Sequence, residues 1–291
     1  MKNKIKVSEF YSFFMAVPAL LWQLLFFYVP LLVIIFISFL KNKESLNIAF
    51  FTFENYKLLF DIIYLKIIMR SVVLAFLTTS FCLLLSYPIA CYLSFCVKRF
   101  KNFLIFALVL PFFTNFLVQV YAWFFILEHN GLVNTILIKI GLISEPLHIL
   151  NTNIAIFIVM VFCYLPYMVL PLYNGMEKVK HNLLEASSDL GATMWQTVNY
   201  IIFPLSFSGI KTGFFLVFIL SYGEFVVPAL LGGSKKMFVG NLISYVFLIT
   251  KNMSLGGAFT CLSIVLLIIF MFIFEKILMM LFGSDKVKNE V

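Results

Sequence analysis

The chain has 291 residues, of which 63% are hydrophobic and only 12% are charged, and its mean hydropathy is +1.06. A soluble domain cannot bury that much apolar surface, so the composition excludes a soluble globular protein. The formal net charge is +8, and its lysines lie in the tails and short connections, where cytoplasmic retention and contact with anionic lipid explain them. The composition therefore predicts an all-α integral membrane protein whose partner is the lipid bilayer, with no nucleic acid.

Six apolar stretches are long enough to cross a bilayer, which takes about 20 helical residues. We expect spans at about Phe10–Leu40, Ser71–Val97, Phe103–Leu127, Asn153–Tyr173, Gly209–Leu231 and Phe259–Leu281. The first stretch is too long for the apolar region of a signal peptide and has no small-residue cleavage site, so it is expected to stay as a span. A further apolar stretch, Met237–Ile249, is too short to cross but could re-enter the membrane.

The positions of lysine and arginine favour both termini in the cytoplasm. In that orientation 12 of the 21 basic residues lie inside and 9 lie outside. The dense turn Lys98–Lys101 and the basic start carry more weight than the totals, because short loops beside helix ends dominate the rule. The prediction is one multi-pass transmembrane domain, residues 1–291, in the plasma or inner membrane.

No group of side chains indicates a metal, cofactor or catalytic site. Neither HExxH nor GxSxG occurs, no CxxC pair is present, and the histidines stand singly in polar connections. The cysteines lie in apolar runs and are expected to be small buried hydrophobic residues. The cysteines are Cys82, Cys91, Cys96, Cys163 and Cys261, and the histidines are His129, His148 and His181.

The segment of about 176–208, between the fourth and fifth spans, is rich in charge yet keeps a helical period. Its apolar face holds Leu183, Ala186 and Leu190, and its acidic face holds Glu185 and Asp189. Gly191 is placed to end a first helix so that a second helix begins. The pattern predicts a compact helical knob that docks in a partner protein. The alternative, a helix lying on the membrane surface, is disfavoured by the central acids and the few lysines.

This segment resembles the EAA loop of ABC importer permeases, which reads Glu-Ala-Ala, three residues, Gly, nine residues, Ile-x-Leu-Pro. The matching residues are Glu185, Ala186, Gly191, Ile201 and Pro204. Ser187 replaces the second alanine and Phe203 replaces the leucine. The resemblance implies a loop that seats in an ATPase subunit. The coupling residues that it implies are Glu185, Ala186, Ser187, Asp189, Gly191 and Pro204.

Other segments are similar to the first permease subunit of spermidine/putrescine importers. They are Val17–Trp22, Leu110–Asn115, Val120–Trp123, Asn130–Asn134, Leu165–Tyr173 and Gly223–Gly233. The EAA loop also occurs in importers of sulfate, iron and thiamine, so it is these segments that indicate polyamines. The resemblance implies a type I ABC importer fold. The partners that it implies are a second permease subunit, two ATPase subunits and an external substrate-binding protein.

The chain has no GxxxxGK[ST] motif for binding ATP phosphates. ATP hydrolysis is therefore expected on another polypeptide, and the chain itself is not expected to be an enzyme. Two other hypotheses stay open. A self-contained secondary transporter would need coupling-ion sites and no ATPase, and a membrane-embedded enzyme would need at least two converging catalytic groups.

Glu224 is the one acidic residue in the predicted fifth span, between Gly223 and Pro228. A carboxylate at that depth costs about 2.5–3.5 kcal/mol on insertion scales, so it needs a partner or a watery cavity. We expect it to line a substrate pathway. The alternative is a hydrogen-bonded acid that joins two spans.

Polar and aromatic residues recur along the predicted third span. Asn115, Gln119 and Trp123 are spaced by four residues and share one helix face, with Tyr121 nearby. They are expected either to line the pathway or to form hydrogen bonds between helices. The two aromatic residues also suit a belt at the membrane interface, and an organic ammonium would suit them through cation–π attraction.

Overall fold

The computed structural model describes residues 17–41, 51–97, 99–233 and 236–282. These residues are almost entirely helical, with one isolated antiparallel bridge between Leu40 and Phe51. The basic start and the charged tail lie outside the described residues. The helices are α1 (Val17–Ser38), α2 (Glu54–Leu58), α3 (Ile62–Cys96), α4 (Lys101–Phe113), α5 (Phe116–Leu127), α6 (Leu132–Lys139), α7 (Asn153–Met176), α8 (His181–Asp189), α9 (Met194–Tyr222), α10 (Val226–Leu231), α11 (Val239–Leu248) and α12 (Met253–Phe282).

Six helical stretches within the described residues are long and apolar enough to cross a membrane. They are Val17–Ser38, Ile62–Cys96, Phe116–Lys139, Asn153–Met176, Met194–Tyr222 and Met253–Ile277. This confirms the predicted all-α membrane class with six spans. The apolar stretch expected to be too short to cross is helix α11, which has 10 residues.

The second span is longer than predicted, because α3 begins at Ile62 instead of near Ser71. Lys66 and Arg70 therefore lie inside the helix, where the sequence suggested a connecting segment. Long basic side chains do not end a membrane helix, since their aliphatic stems lie along apolar surface while the charges extend towards water.

The third predicted span is divided. Residues Leu110–Phe113, which include Pro111, form a 3₁₀ turn, and Thr114 and Asn115 after it are extended. Proline has no N–H to donate, and the Asn115 side chain accepts a hydrogen bond from Leu117 N at 2.9 Å, which starts the new helix α5. The prediction of one unbroken span over Phe103–Leu127 is therefore wrong.

The described chain divides into two compact units. One contains the residues up to 65 together with 243–265, and the other contains 66–242 together with the residues from 266 onward. The first unit includes α1 and the loop helix α2. There the Asn55 amide donates to the carbonyls of Ser38 and Leu40 at 2.9 and 3.0 Å, which fixes the loop to the end of α1.

In the second unit the most buried helix is α7, which packs against α9 through glycines. A Cβ atom on Gly209 would lie 2.5 Å from Pro171 O and 3.1 Å from Gly175 Cα. A Cβ on Gly213 would lie 2.8 Å from Met168 Sδ. Small residues allow helix backbones to approach closely in a bilayer, so these glycines set the distance between the two helices.

Two contacts join helix ends within this unit. Lys101, at the start of α4, forms an ion pair with Glu177, just after α7, with an N–O distance of 3.1 Å. At another place Val239 N, at the start of α11, donates to Ser71 Oγ of α3 at 2.8 Å. The first contact joins the basic turn to the segment that resembles the EAA loop.

Candidate functional site

The EAA-like segment is a helix, a tight turn and a second helix, as its pattern predicts. Helix α8 ends at Asp189, and Gly191 has a φ of +73°, which is favourable for glycine and strained for other residues. Gly191 N and Ala192 N donate to Ser188 O and Ser187 O at 2.9 and 3.0 Å. These bonds satisfy the last carbonyls of α8 and let α9 begin three residues later.

The second half of the segment is capped by its own side chains. Gln196 N and Thr193 Oγ1 are 3.4 Å apart, while Thr193 N donates to Gln196 Oε1 at 2.8 Å, so the two residues form a capping box. Ser187 is buried, and its hydroxyl lies 2.6 Å from Thr197 Oγ1. The serine that replaces the alanine of the EAA pattern therefore joins the two helices, a role the sequence did not indicate.

The outward face of this segment is apolar at its centre and acidic at its side. Ala186, Glu185 and Asp189 are exposed, and the His181 ring lies 3.6 Å from the Glu185 carboxylate. Large apolar side chains are exposed beside them, with Leu190 at 87% and Trp195 at 74%. Nothing within the described part of the chain covers this face, which gives the segment the chemistry of a docking surface.

Pro204 lies within the long helix α9 and not at its beginning. Residues Val198–Ile202 before it form a π-helical turn, after which the α-helix Phe203–Tyr222 continues. Proline removes one helical hydrogen bond and crowds the preceding turn, and a π turn accommodates both effects. The segment that resembles the EAA loop is thus continuous with a membrane-spanning helix.

The structure corrects the placement of Glu224. Helix α9 ends at Tyr222 and α10 begins at Val226, so Glu224 lies in the break between them and not inside a span. Its Oε1 accepts from Val226 N at 2.7 Å and Val227 N at 3.3 Å. Its Oε2 accepts from the Tyr164 hydroxyl of α7. Two backbone N–H groups and one hydroxyl therefore hold a half-buried carboxylate.

Aromatic rings continue from this carboxylate. Tyr164 and Tyr167 have ring centroids 6.2 Å apart, and Phe112 of α4 lies 4.5 Å from Tyr167. Tyr164 and Tyr167 did not figure among the predicted pathway residues. The signal was present in the sequence, because positions 164 and 167 lie three residues apart on one face of α7.

Two of the polar residues predicted on one face of the third span stabilise the break in that span between α4 and α5. Besides Asn115, which caps α5, Gln119 donates its amide to Pro111 O and to Thr114 Oγ1. The Trp123 ring packs against Phe162 of α7 at 4.9 Å. Tyr121 is exposed. Trp123 therefore packs against α7, whereas the side chains of Asn115 and Gln119 form hydrogen bonds with backbone atoms around the break.

An ion pair that the sequence analysis missed joins α9 to α12. Lys211 Nζ bonds to Glu275 Oε1, and each side chain is about one-third exposed. Beside it the rings of Phe214 and Phe274 stack with centroids 3.8 Å apart. The signal in the sequence was a basic residue in the fifth predicted span and an acidic residue in the sixth, and intramembrane charges generally pair.

Two predictions about histidine and cysteine also need correction. His129 and His148 do not stand singly, because their rings stack at 4.8 Å. Beside them the buried Asn134 amide donates to His129 O and Leu147 O at 2.9 Å each, which joins the two connecting segments that carry the histidines. Of the cysteines, Cys82 and Cys163 are buried as predicted, whereas Cys91 and Cys261 are half-buried and Cys96 is exposed. No group of three metal-binding side chains occurs within the described residues.

No protein-family model matches the chain, but individual relatives do. PotB of Haemophilus influenzae, a spermidine/putrescine transport system permease protein, is 39% identical over 256 residues, which is 88% of this chain and 90% of that protein. PotB of Escherichia coli K12 is 38% identical over 238 residues, which is 81% of this chain and 86% of that protein.

Among solved structures, the fold is similar to a chain of a bacterial alginate ABC transporter in complex with an alginate pentasaccharide-bound periplasmic protein. The TM-score is 0.75, the sequence identity is 16%, and the match covers 98% of this chain and 99% of that chain. At this identity the similarity is one of fold. It confirms the predicted fold class, that of a permease chain of an ABC transporter.

Proposed function

The chain belongs to the PotB family of transport permease proteins, and we propose that it is a transmembrane subunit of an ATP-driven importer that carries spermidine and putrescine into the cell. The observation that carries this proposal is the identity of 39% over 88% of the chain to a protein named for that transport. Its relatives are permeases and not enzymes. In this role the chain forms part of the path, and its substrates are small flexible cations.

The partners of this subunit are a second permease chain, two ATPase subunits and an external substrate-binding protein. The absence of a phosphate-binding GxxxxGK[ST] motif supports hydrolysis on separate subunits. The partner on the cytoplasmic side meets the EAA-like segment, whose exposed Leu190 and Trp195 provide the apolar centre of an interface. Glu185 and Asp189 provide a polar rim.

Coupling to the ATPase can be tested without disturbing the membrane spans. Gly191→Pro deforms the turn and Glu185→Lys reverses a charge on the exposed face. We expect both variants to insert normally while uptake and co-purification of the ATPase fall. Glu145→Lys, a reversal at another exposed acid, is the matched control. If both variants co-purify with the ATPase at the wild-type yield and transport normally, the segment does not couple transport to the ATPase.

Both termini lie in the cytoplasm in this proposal. The ion pair between Lys101 and Glu177 supports the six-span path, because that path puts both connections on one side of the membrane, and the basic turn Lys98–Lys101 favours the cytoplasmic side. Reporter fusions after Lys101 and Trp195 should be cytoplasmic. Fusions after Asn55, Asn134 and Lys236 should be external, and one reversed fusion among them would require another path.

Glu224 lines the translocation path and offers its carboxylate to the cationic substrate. Support comes from its partners, since neutral donors hold it in place and leave its charge uncompensated among the described residues. The neighbouring rings of Tyr164, Tyr167 and Phe112 give faces that attract an ammonium group.

Asn115, Gln119, Tyr121 and Trp123 belong to the same path in this proposal. The break that Asn115 and Gln119 stabilise lies directly after Phe112, which contacts Tyr167. Broken helices whose backbone lines a cavity are the usual way to form a substrate site at membrane depth.

The decisive experiment for the function is uptake of labelled spermidine and putrescine in a strain that lacks this chain. We expect uptake to fall and the gene to restore it. Loss of uptake on deletion of the partner ATPase excludes a self-contained secondary transporter. Unchanged polyamine uptake would contradict the polyamine assignment and redirect the assays to iron, sulfate and thiamine, the other solutes carried by importers with this loop.

A further inference from the structure

A groove of about 520 Å³ runs between the beginnings of α3 and α7 in the second unit. One stripe of α3 forms its wall, at positions spaced by four, three and four residues, so that all lie on one helix face. These residues are Lys66, Arg70, Val73 and Leu77. The stripe is cationic in its first turn and apolar below it.

The opposite wall comes from the first turns of α7. Asn153, Ile154 and Phe157 line the groove, and the Phe157 ring contacts Phe81 at 5.4 Å. The Thr152 hydroxyl caps one N–H group in the first turn of α7, and the N–H groups that remain have no acceptor within the helix, which favours an anion near this end. Both walls therefore place positive charge at one end of the groove and hydrocarbon along the rest.

Lys66 and Arg70 form no ion pair with any residue in the described part of the chain. One helical turn separates them, a rise of roughly 6 Å, which lets both side chains reach one phosphate. Arginine binds phosphate oxygens through its planar fork, and lysine adds a compact second charge. The site repels polyamines, so the import substrate is not its ligand.

We propose that this groove binds an anionic phospholipid. Its phosphate lies between Lys66 and Arg70, and one acyl chain lies along Val73, Leu77 and Phe157. The exposed side chains of Val73 and Leu77 are ordinary for a surface that meets hydrocarbon, and the adjoining cations are what select a charged headgroup over a neutral one. The lipid fills a space that side chains of the second unit leave open.

The test uses the full chain, purified in the complex that it forms and mixed with equal amounts of dioleoylphosphatidylglycerol and dioleoylphosphatidylethanolamine. Native mass spectrometry counts the lipids that stay bound. We expect phosphatidylglycerol to be retained over phosphatidylethanolamine. In the variant Lys66→Gln with Arg70→Gln this preference should fall about thirtyfold, since each cation near a membrane surface is worth about fivefold.

Two further variants make the test specific. Lys57→Gln with Lys139→Gln removes the same charge from exposed helical positions that do not line the groove, and it should keep the wild-type preference. Val73→Trp fills the apolar part and should lower retention of both lipids. Equal retention of the two lipids by the wild type would overturn the proposal. So would an unchanged preference after loss of both cations, or cross-links from this groove to a partner subunit instead of lipid.

Discussion

Glu224 and Glu275 are two carboxylates in apolar parts of the chain, and their surroundings differ. Glu275 meets a lysine on the neighbouring helix α9, so the pair has no net charge. Glu224 meets a tyrosine hydroxyl and two backbone N–H groups, which hold it without neutralising it. One acid therefore joins two helices through an ion pair, whereas the other has only neutral hydrogen-bond donors as partners among the described residues.

The difference follows from where each acid lies in its helix. Within a continuous helix such as α12 every backbone N–H is already bonded, so an acid there needs a charged side chain as its partner. In the break before α10 the first N–H groups are free to donate, and Glu224 accepts two of them. A broken helix thus offers a carboxyl group backbone donors that a continuous helix does not.

The largest effect is expected from reversing one charge of the pair. Lys211→Glu places two carboxylates together, and we expect the protein to fail to accumulate in the membrane. The exchanged pair, Lys211→Glu with Glu275→Lys, should restore most of the protein in the membrane. Quantitative immunoblots of membranes measure the amount of each variant. If the exchanged pair accumulates no better than the single variant, the contact is not an ion pair in the cell.

Neutralising Glu275 alone should affect stability more than transport. Glu275→Gln leaves Lys211 without its counter-charge, and we expect the free energy of unfolding to fall by about 2 kcal/mol. Breaking a fully buried pair costs roughly 3–5 kcal/mol, and the loss is smaller here because about a third of each side chain is exposed. Thermal unfolding of the purified protein measures the loss. Transport per folded molecule should stay near the wild-type value, and a large fall would assign this acid to the path.

Glu224→Gln should show the opposite pattern. The amide keeps an acceptor for Val226 N, and its NH₂ group can donate to the Tyr164 oxygen, so we expect normal insertion and normal binding of the ATPase. The charge is lost, and polyamine uptake should fall at least about tenfold, as for a charged contact worth about 1.5–3 kcal/mol. Uptake kinetics equal to the wild type would remove Glu224 from the path.

Tyr164→Phe sharpens the same comparison with a smaller effect. It removes one hydrogen bond to Glu224 but leaves the charge and both backbone bonds in place. We expect uptake to fall about fivefold or less, in line with a bond worth about 1 kcal/mol. A loss as large as that of Glu224→Gln would show that position, and not charge, is the property that matters.

The smallest effect concerns a third carboxylate, Glu177, whose side chain is exposed. The Lys101 amine and the Tyr173 hydroxyl lower the pKa of Glu177 below its usual 4.5, and Tyr173 and Glu177 raise the pKa of Lys101 above 10.5. The stabilisation is therefore present between about pH 5 and pH 10 and is lost as pH falls through the lowered pKa or rises through the raised one. Glu177→Gln should cost no more than about 0.5 kcal/mol at neutral pH. The difference in stability between this variant and the wild type, measured from unfolding curves, should be smaller at pH 4 than at pH 7.

Much of the fold could be predicted because apolar length is a strong signal. Four predicted spans differ from the helices mainly in their ends, and Gly191 ends its helix where its residue type suggests. The break at Thr114 and Asn115 was missed because a hydrophobic run hides a change of backbone. The pairing of Lys211 with Glu275 was missed because the positions are 64 residues apart, and a single sequence does not show which helices are neighbours.

The glycine contact in the second unit also marks the point about which α9 would pivot if the helix tilted. At Gly209 the backbone touches Gly175 with no side chain between them, so this point is a natural fulcrum for tilting. From Gly209 to the start of the helix at Met194 is about 22 Å, and to its end at Tyr222 is about 20 Å, at 1.5 Å per residue. The two arms of this lever are nearly equal. A tilt that moves the EAA-like segment by a given distance therefore carries the Glu224 end by almost the same distance in the opposite direction.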